Sequence, residues 1–330
     1  MAELGDAFLL SLETLEENLG AKKFPDFIQN CENAFFSQIQ PICDAVRQNP
    51  DIFFILISGP TSSGKTTFTH RLRDHLVAMS RRASVLSLDD YYLEGLQRYD
   101  EAGRPDLESV DTLELTLLHE HLRELSEYRE VCIPSFDFSS RKRSFSPDRS
   151  FRMEKGDILL IEGLHALSDT LLNGMERGHY LGVFIMPNAR LLDDRRVLSP
   201  VDVRRLRRIS RDVRRRGASA LSTLDYWPMI DRVEKQVMPE YLKRADFYIN
   251  SFLSYEFCIT APLAERELKN CLRLYQKGEL PPSKNVREGV FYADLNLAVR
   301  EARRLSEACD KFPEIDTAAV PPGSILQEFI

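Results

Sequence analysis

The 330-residue sequence predicts an α/β protein in which a parallel β-sheet is covered by helices on both faces, with a helical N-terminal segment and a helical C-terminal appendage. Three observations carry this. Short apolar runs alternate with helical stretches from residue 51 to about residue 262, the pattern of successive βαβ units. The first run, "IFFIL", leads directly into "ISGPTSSGKTTF", which holds a Gly-x4-Gly-Lys-Thr spacing. Beyond that region the periodicity is purely helical, in "LAERELKNCLRLYQKG" and, after a "LPPSK" break, "FYADLNLAVREARRLSEACDKF". The chain therefore divides into residues 1–50, 51–262 and 263–330.

Taken in order, residues 1–50 read as helices. "FLLSLETLEENL" and "FPDFIQNCENAFFSQIQPICDAV" space their apolar residues helically, and "QNP" closes the segment. Strands are predicted at 52–58, 83–88, 130–133, 157–162, 180–186 and 247–250. "TTFTHRLRDHLVAM" and "TLELTLLHEHLRELS" are helices between them, and the tail "AVPPGSILQEFI" reads as an extended, proline-punctuated stretch. In a parallel sheet of this kind ligands sit at the carboxyl ends of the strands, so the residues just after each strand matter most.

Composition sets limits. Hydrophobic content of 43% and charged content of 29% are those of a globular protein, and the net charge of −7 argues against generic nucleic-acid or anionic-membrane binding. The opening "MAELGDAFLL" lacks the basic region of a secretory signal, and no apolar run approaches the ~20 residues of a membrane span. Cys31, Cys43, Cys132, Cys258, Cys271 and Cys309 lie far apart without a CxxC pair, as reduced thiols of a cytoplasmic protein do.

The loop Gly59, Pro60, Thr61, Ser62, Ser63, Gly64, Lys65, Thr66, Thr67 has the composition of a phosphate cradle. Its glycines let successive N–H groups converge on one anion, Lys65 reaches the β/γ-phosphates, and the Thr66 hydroxyl suits Mg²⁺. A Gly/Ser surface turn is the bland alternative; a buried strand before the loop and a helix after it weigh against that. The second strand ends in "LSLDDYY", which brings Asp89 and Asp90 to the rim where a terminal phosphate would lie. A carboxylate there can accept a hydroxyl proton or ligate magnesium, whereas the plain reading is an Asp pair capping a turn. Glu162, closing "DILLIEG", is a second candidate magnesium carboxylate, set against an ordinary strand-end glutamate.

"SPVDVRRLRRISRDVRRRG" has Ser199 to cap a helix, Pro200 for its first turn and Gly217 to end it. Arg204, Arg208, Arg211 and Arg215 recur at three- to four-residue spacing and share a face. Like charges stacked this way are relieved by a polyanion, so the stretch reads as a phosphate-binding lid over about 188–230. A nucleic-acid contact and a solvated helix with local Asp partners are the rivals. His165 follows the acidic strand and reads as structural. His70, His75, His119, His121 and His179 show no metal-ligand grouping. Trp227 reads as packing for the return path of the lid.

"GPTSSGKTT", "LSLDDYY", "PSFDFSSRKR", "DILLIEGLHAL" and "RRISRDVRRRG" occur in the order and local wording of the uridine kinase / phosphoribulokinase family, and the resemblance spans about residues 52–250. It extends more loosely to "SILQEFI", which is similar to bacterial uridine kinase-like proteins with a longer C-terminus. The resemblance implies the phosphate-loop kinase fold, ATP and Mg²⁺ as cofactors, and a small-molecule alcohol as substrate. By it Lys65 and the loop bind ATP, Asp89 is the base, and Thr66, Asp89 and Glu162 serve the metal. Arg208, Arg211 and Arg216 neutralise the transferring group. Tyr92 lines the nucleoside site and Glu108, or Asp106 in a shifted register, grips ribose hydroxyls.

One departure stands out. The family's substrate loop reads P-x-Y-D-F-x-x-H-x-R; here Phe136 replaces the tyrosine and Arg141 the histidine, while Asp137 and Phe138 are kept. A phenyl ring still stacks, but arginine is donor-only and permanently charged. The expected reaction is 5′-phosphorylation of a nucleoside, uridine or cytidine first. A sugar-like or vitamin-like alcohol is the alternative acceptor, and an ATP-dependent regulator is the alternative of another class. No N-K-x-D guanine-reading motif is present. No nucleic-acid or membrane partner is expected, and a homo-oligomer stays open.

Overall fold

The computed structural model describes residues 7–20, 22–95, 98–138, 140–193 and 196–330. Residues 1–6 of the N-terminal segment, Ser139 of the "PSFDFSSRKR" loop and residues 194–195 of the expected lid lie outside the described residues. Five strands form a wholly parallel sheet: β2 (Phe54–Ser58), β3 (Ala83–Ser87), β6 (Ile158–Glu162), β7 (Tyr180–Met186) and β10 (Phe247–Asn250). Their order across the sheet is β10-β7-β2-β6-β3. The strands β2 and β6 are buried at every position, which is why they read as unbroken apolar runs rather than alternations.

Both faces are covered. On one face α2 (Phe24–Ser37), α3 (Gln40–Gln48) and α4 (Lys65–Ala78) pack Phe35, Ile42 and Phe68 against Ile55, Ile57 and Val183. On the other, α5 (Leu115–Ser126) and the end of α8 (Ala220–Arg244) meet Leu56, Ile161 and Phe184. A further apolar cluster joins α7 (Pro200–Arg211), α8, α9 (Phe257–Lys277) and α10 (Leu295–Cys309). Burial of Leu206, Leu224, Leu268 and Leu305 there contributes roughly 1.5–3 kcal/mol per side chain relative to exposure. A short helix α6 (Asp169–Leu172), capped by Ser168, leads towards β7.

Three expectations are corrected. Phe8–Ser11, read as the start of a helix, is a strand, β1, paired parallel with β8 (Ala189–Asp193), which in turn pairs antiparallel with β9 (Arg196–Leu198). The helix α1 (Leu12–Glu16) begins only after Ser11, whose side chain accepts from Thr14 N–H. The strand expected at 130–133 is longer, β4 (Glu130–Asp137), and does not join the parallel sheet. It pairs antiparallel with β5 (Lys142–Arg152) in a separate hairpin. The tail expected to be extended makes two tight turns, Thr317–Ala319 and Ile325–Glu328, docked against the core.

All six cysteines are free, four of them buried. Among the described residues no helix is long and apolar enough to cross a membrane. The last turn of each central strand lies on one edge of the sheet, and that edge carries the site.

Candidate active site

Directly after β2 the chain must turn sharply into α4. Gly59 is obligatory, since a Cβ there would stand 2.1 Å from the Ile185 carbonyl oxygen. Gly64 has φ +86°, a left-handed conformation that other residues adopt at a cost, and it starts α4 without a side-chain cap. Ser62 is also left-handed, with φ +58°. Lys65 Nζ folds back to donate to the Gly59 and Pro60 carbonyls at 2.9 and 3.0 Å.

The loop is braced from behind by two buried ion pairs. Arg204 makes a two-pronged contact with Glu234, at 2.8 and 2.9 Å, and also donates to the Thr61 carbonyl; Glu234 accepts the Thr61 N–H. Arg207 is fully buried, pairs with Glu256 and donates to the Ser62 carbonyl at 3.3 Å. Arg204 therefore does not share a phosphate-facing surface with Arg208, as its spacing suggested. Its charge is consumed inside the protein because Glu234, thirty residues later, folds onto it. Trp227 is buried beneath the Arg204 and Arg205 guanidiniums, a packing position.

Glu162 ends β6 between the loop and β3. It accepts from Ser87 Oγ at 2.7 Å and from Thr66 Oγ1 at 3.4 Å. Burial, reinforced by the negative charge of Asp89, pushes its carboxyl up to about 7 despite Lys65 and the Ser87 hydrogen bond. The folded state thus keeps a proton that the unfolded chain has already lost, and stability falls as pH rises from about 4.5 to about 7. At 1.36 kcal/mol per pH unit this penalty is about 3 kcal/mol. Glu162→Gln keeps a carbonyl acceptor for Ser87 and Thr66 and removes the penalty. In urea titrations of the metal-free protein at about pH 8 it should be more stable than wild type by roughly 2–3 kcal/mol, with a flatter pH dependence. An unchanged or lower midpoint would contradict burial beside Asp89 as the origin of the shift.

Asp89 and Asp90 part company. Asp89 is exposed at the mouth of the cavity, and its carboxylate forms no hydrogen bond or ion pair among the described residues. Asp90 turns to the hairpin, where Arg149 pairs with it at 2.8 Å and the Phe136 N–H donates to it. Of the two, only Asp89 faces the loop.

The helix α7 runs into a π-helical turn, Asp212–Arg216, closed by left-handed Gly217. This widened turn gathers Arg208, Arg211 and Arg216 around one buried carboxylate, Asp212, at 3.1, 3.0 and 3.7 Å. Arg208 also donates to Thr61 Oγ1 at 2.7 Å. Burial pushes Arg211 down to about 10, the partly offsetting charge being Asp212. Local Asp partners entered the sequence analysis only with the rival reading of a solvated helix, and the place of Asp212 at the centre was not foreseen. Arg215 also lines the cavity, but its guanidinium is held by the Gln327 and Ile330 carbonyls.

The opposite wall is aromatic. Tyr92, Phe136 and Phe138 form a triangle with ring centroids 5.2–5.5 Å apart, and Arg216 lies over Phe138 at 5.7 Å. Tyr92 donates its hydroxyl to the Leu107 carbonyl. Arg141, left-handed at φ +54°, closes the hairpin turn and lines the same cavity. Glu108 faces the cavity without a hydrogen bond to its carboxylate among the described residues, and burial raises its carboxyl above the usual range. Asp106 is used up by its own turn, accepting from Glu108 N–H, Ser109 N–H and Ser109 Oγ. His165 is satisfied on both nitrogens, by the Tyr241 hydroxyl and the Glu108 carbonyl, each at 2.7 Å; it fixes the Glu108 backbone.

The enclosed space is about 520 Å³, lined by the loop, Asp89, Glu162, the arginines and the aromatic wall, and also by Lys284 and Asn285 from beyond α9. A larger cleft of about 1200 Å³ opens around Ile52, Arg81, His119 and His179, where the strands begin. It lies away from the edge where parallel sheets bind ligands. Among the described residues no three acidic, His or Cys side chains form a metal cluster. The Thr66 hydroxyl and the Glu162 carboxylate are oxygen donors of the kind a hard cation takes beside phosphate oxygens.

The chain is similar to a group of known proteins. The model of the Phosphoribulokinase / Uridine kinase family matches residues 54–254, well over half of the chain. A uridine kinase of Halobacterium salinarum is 29% identical over 199 residues, covering 60% of this chain and 79% of the relative. One from Lactobacillus johnsonii is 28% identical over 176 residues, 52% of this chain and 72% of the relative. Among solved structures, a possible uridine kinase from Bacillus stearothermophilus aligns with TM-score 0.43 at 19% identity, over 64% of this chain and 97% of its own.

Proposed function

Because the chain belongs to the phosphoribulokinase / uridine kinase family and is thereby an ATP-dependent kinase, we propose that it transfers the γ-phosphoryl group to a nucleoside hydroxyl, the 5′-OH of uridine or cytidine first. The observation that carries the proposal is the meeting of Lys65, Asp89 and Glu162 around one cavity whose far wall is the Tyr92–Phe136–Phe138 triangle. Such transfer is mainly positioning and charge neutralisation.

In this reading Gly59–Thr67 and Arg216 hold ATP, with Lys65 on the β/γ-phosphates. Thr66, Glu162 and Asp89 hold Mg²⁺, which when bound neutralises the phosphate oxygens. Asp89 accepts the proton of the acceptor hydroxyl as that oxygen forms its bond to γ-phosphorus and the bond to the ADP oxygen breaks. Arg208 and Arg211 balance the charge spread over the moving group, and Asp212 keeps them aimed. The nucleoside base stacks on Phe136 and Phe138 beside Tyr92 and Arg141, with its ribose hydroxyls on Glu108.

A second acceptor class is favoured by one observation: Phe136 has no hydroxyl and Arg141 is donor-only at the positions where the family pattern has tyrosine and histidine. An ADP-release screen over nucleosides, polyols and pantothenate-like alcohols separates the two. Uridine or cytidine should exceed every non-nucleoside by about tenfold or more in kcat/KM. Turnover of a polyol or vitamin-like alcohol with nucleosides inert would replace the nucleoside assignment.

A further inference from the structure

The segment Ser324–Ile330 is built into the nucleotide site. Ile325, Leu326 and Phe329 are fully buried in the core beside α4. Ser324 Oγ meets the Tyr255 hydroxyl, and Arg71 of α4 donates to the Gly323 carbonyl. The Arg207 guanidinium, which braces Ser62 of the phosphate loop, lies over the Phe329 ring at 5.2 Å. Ile325 packs so close to the loop that a Cβ on Gly64 would stand 3.3 Å from it.

This anchoring aims Glu328 at the start of α4, where its Oε1 accepts the Thr67 N–H at 2.7 Å. Thr67 is the third residue of that helix, and Gly64 supplies no side-chain cap. In a phosphate loop these first-turn amides, unpaired within the helix, are the donors that a nucleotide's phosphate oxygens use. One N–H cannot serve a carboxylate and a phosphate oxygen together, and two anions at that separation repel. From the other side Arg215, on the π-helical turn that carries Arg216, donates to the Gln327 carbonyl at 2.6 Å. The strap therefore touches both the loop and the arginine turn.

We propose that Glu328 is a built-in competitor for the nucleotide: its carboxylate takes the Thr67 amide, and a nucleoside di- or triphosphate must displace it to bind. The inference rests on the kinase reading of the same site. Only the fraction of molecules with Glu328 withdrawn accepts the phosphate chain, so the observed affinity is weaker than that of the cradle itself. Because Arg215 grips the same strap, withdrawal of Glu328 is coupled to movement of the arginine turn.

The test is calorimetric titration of ADP and ATP, without acceptor, into the full-length wild type, Glu328→Gln and Glu328→Asp, with thermal midpoints recorded. Glu328→Gln should bind both nucleotides about tenfold more tightly, and Glu328→Asp, with its carboxylate drawn back by one methylene, by an intermediate factor. Unchanged or weaker binding by a Gln variant with a wild-type midpoint overturns the proposal. If the Gln variant does not fold, the Asp variant decides by the same criterion. Tighter binding in a protein that phosphorylates no alcohol supports the competitor and removes the kinase reading. No nucleotide binding by any of the three proteins overturns both.

Discussion

Asp89→Asn is expected to lower kcat by about 10³-fold while leaving the fold and magnesium-free nucleotide binding intact, because general-base catalysis contributes roughly 10²–10⁴ and the amide cannot take up the hydroxyl proton. Asp89 is exposed and its carboxylate forms no hydrogen bond or ion pair among the described residues, so its replacement by an isosteric amide should not lower stability, and at about pH 8 it relieves the negative charge that Asp89 places beside Glu162. Steady-state kinetics with ATP and the best acceptor, alongside ADP titration in the absence of acceptor and magnesium, measure the two halves of the expectation. A folded Asn variant with near-normal turnover would remove Asp89 from the mechanism. Loss of ADP binding instead would make it a binding group.

Asp212→Ala should be the most damaging single change to stability, at roughly 3–5 kcal/mol, the usual cost of leaving buried charges without their partner. Arg208 and Arg211 are buried around that carboxylate and Arg216 is half-exposed beside it. Without it their mutual repulsion either unwinds the turn or drives the side chains into the cavity. A double variant that also carries Arg208→Ala should recover part of the loss, because the neighbours then no longer act independently. Urea midpoints for the two single variants and the double variant report this. A loss below about 1 kcal/mol for Asp212→Ala would mean that solvent already screens the arginines.

Much of this was legible in the sequence for identifiable physical reasons. The central strands β2 and β6 are buried on both faces, so they appear as short, unbroken apolar runs. The loop, Asp89 and Glu162 each follow a strand directly, and the rule for parallel sheets then brings them to one edge. Phe8–Ser11 escapes a reading by pattern because three apolar residues and a serine carry no period, and the partner strand lies some 180 residues away. The hairpin escapes it because β5, "KRSFSPDRSFR", is half-exposed and polar, so nothing in it signals a partner for β4. The arginines show most clearly where local pattern ends. Spacing groups Arg204 with Arg208, but the partner supplied by the fold decides the role, Glu234 for one and Asp212 for the other. Similarly Asp106 and Glu108 are equivalent as sequence, and only the turn hydrogen bonds show which carboxylate is left to face the cavity.

The central claim is that this cavity joins ATP to an alcohol. It is tested most directly by phosphorus NMR of the protein with ATP, magnesium and uridine or cytidine. A phosphomonoester signal coupled to the 5′ protons should grow in step with ADP, and it should be absent with Asp89→Asn. Formation of ADP with inorganic phosphate alone, or no ATP consumption with any alcohol offered, would contradict the account.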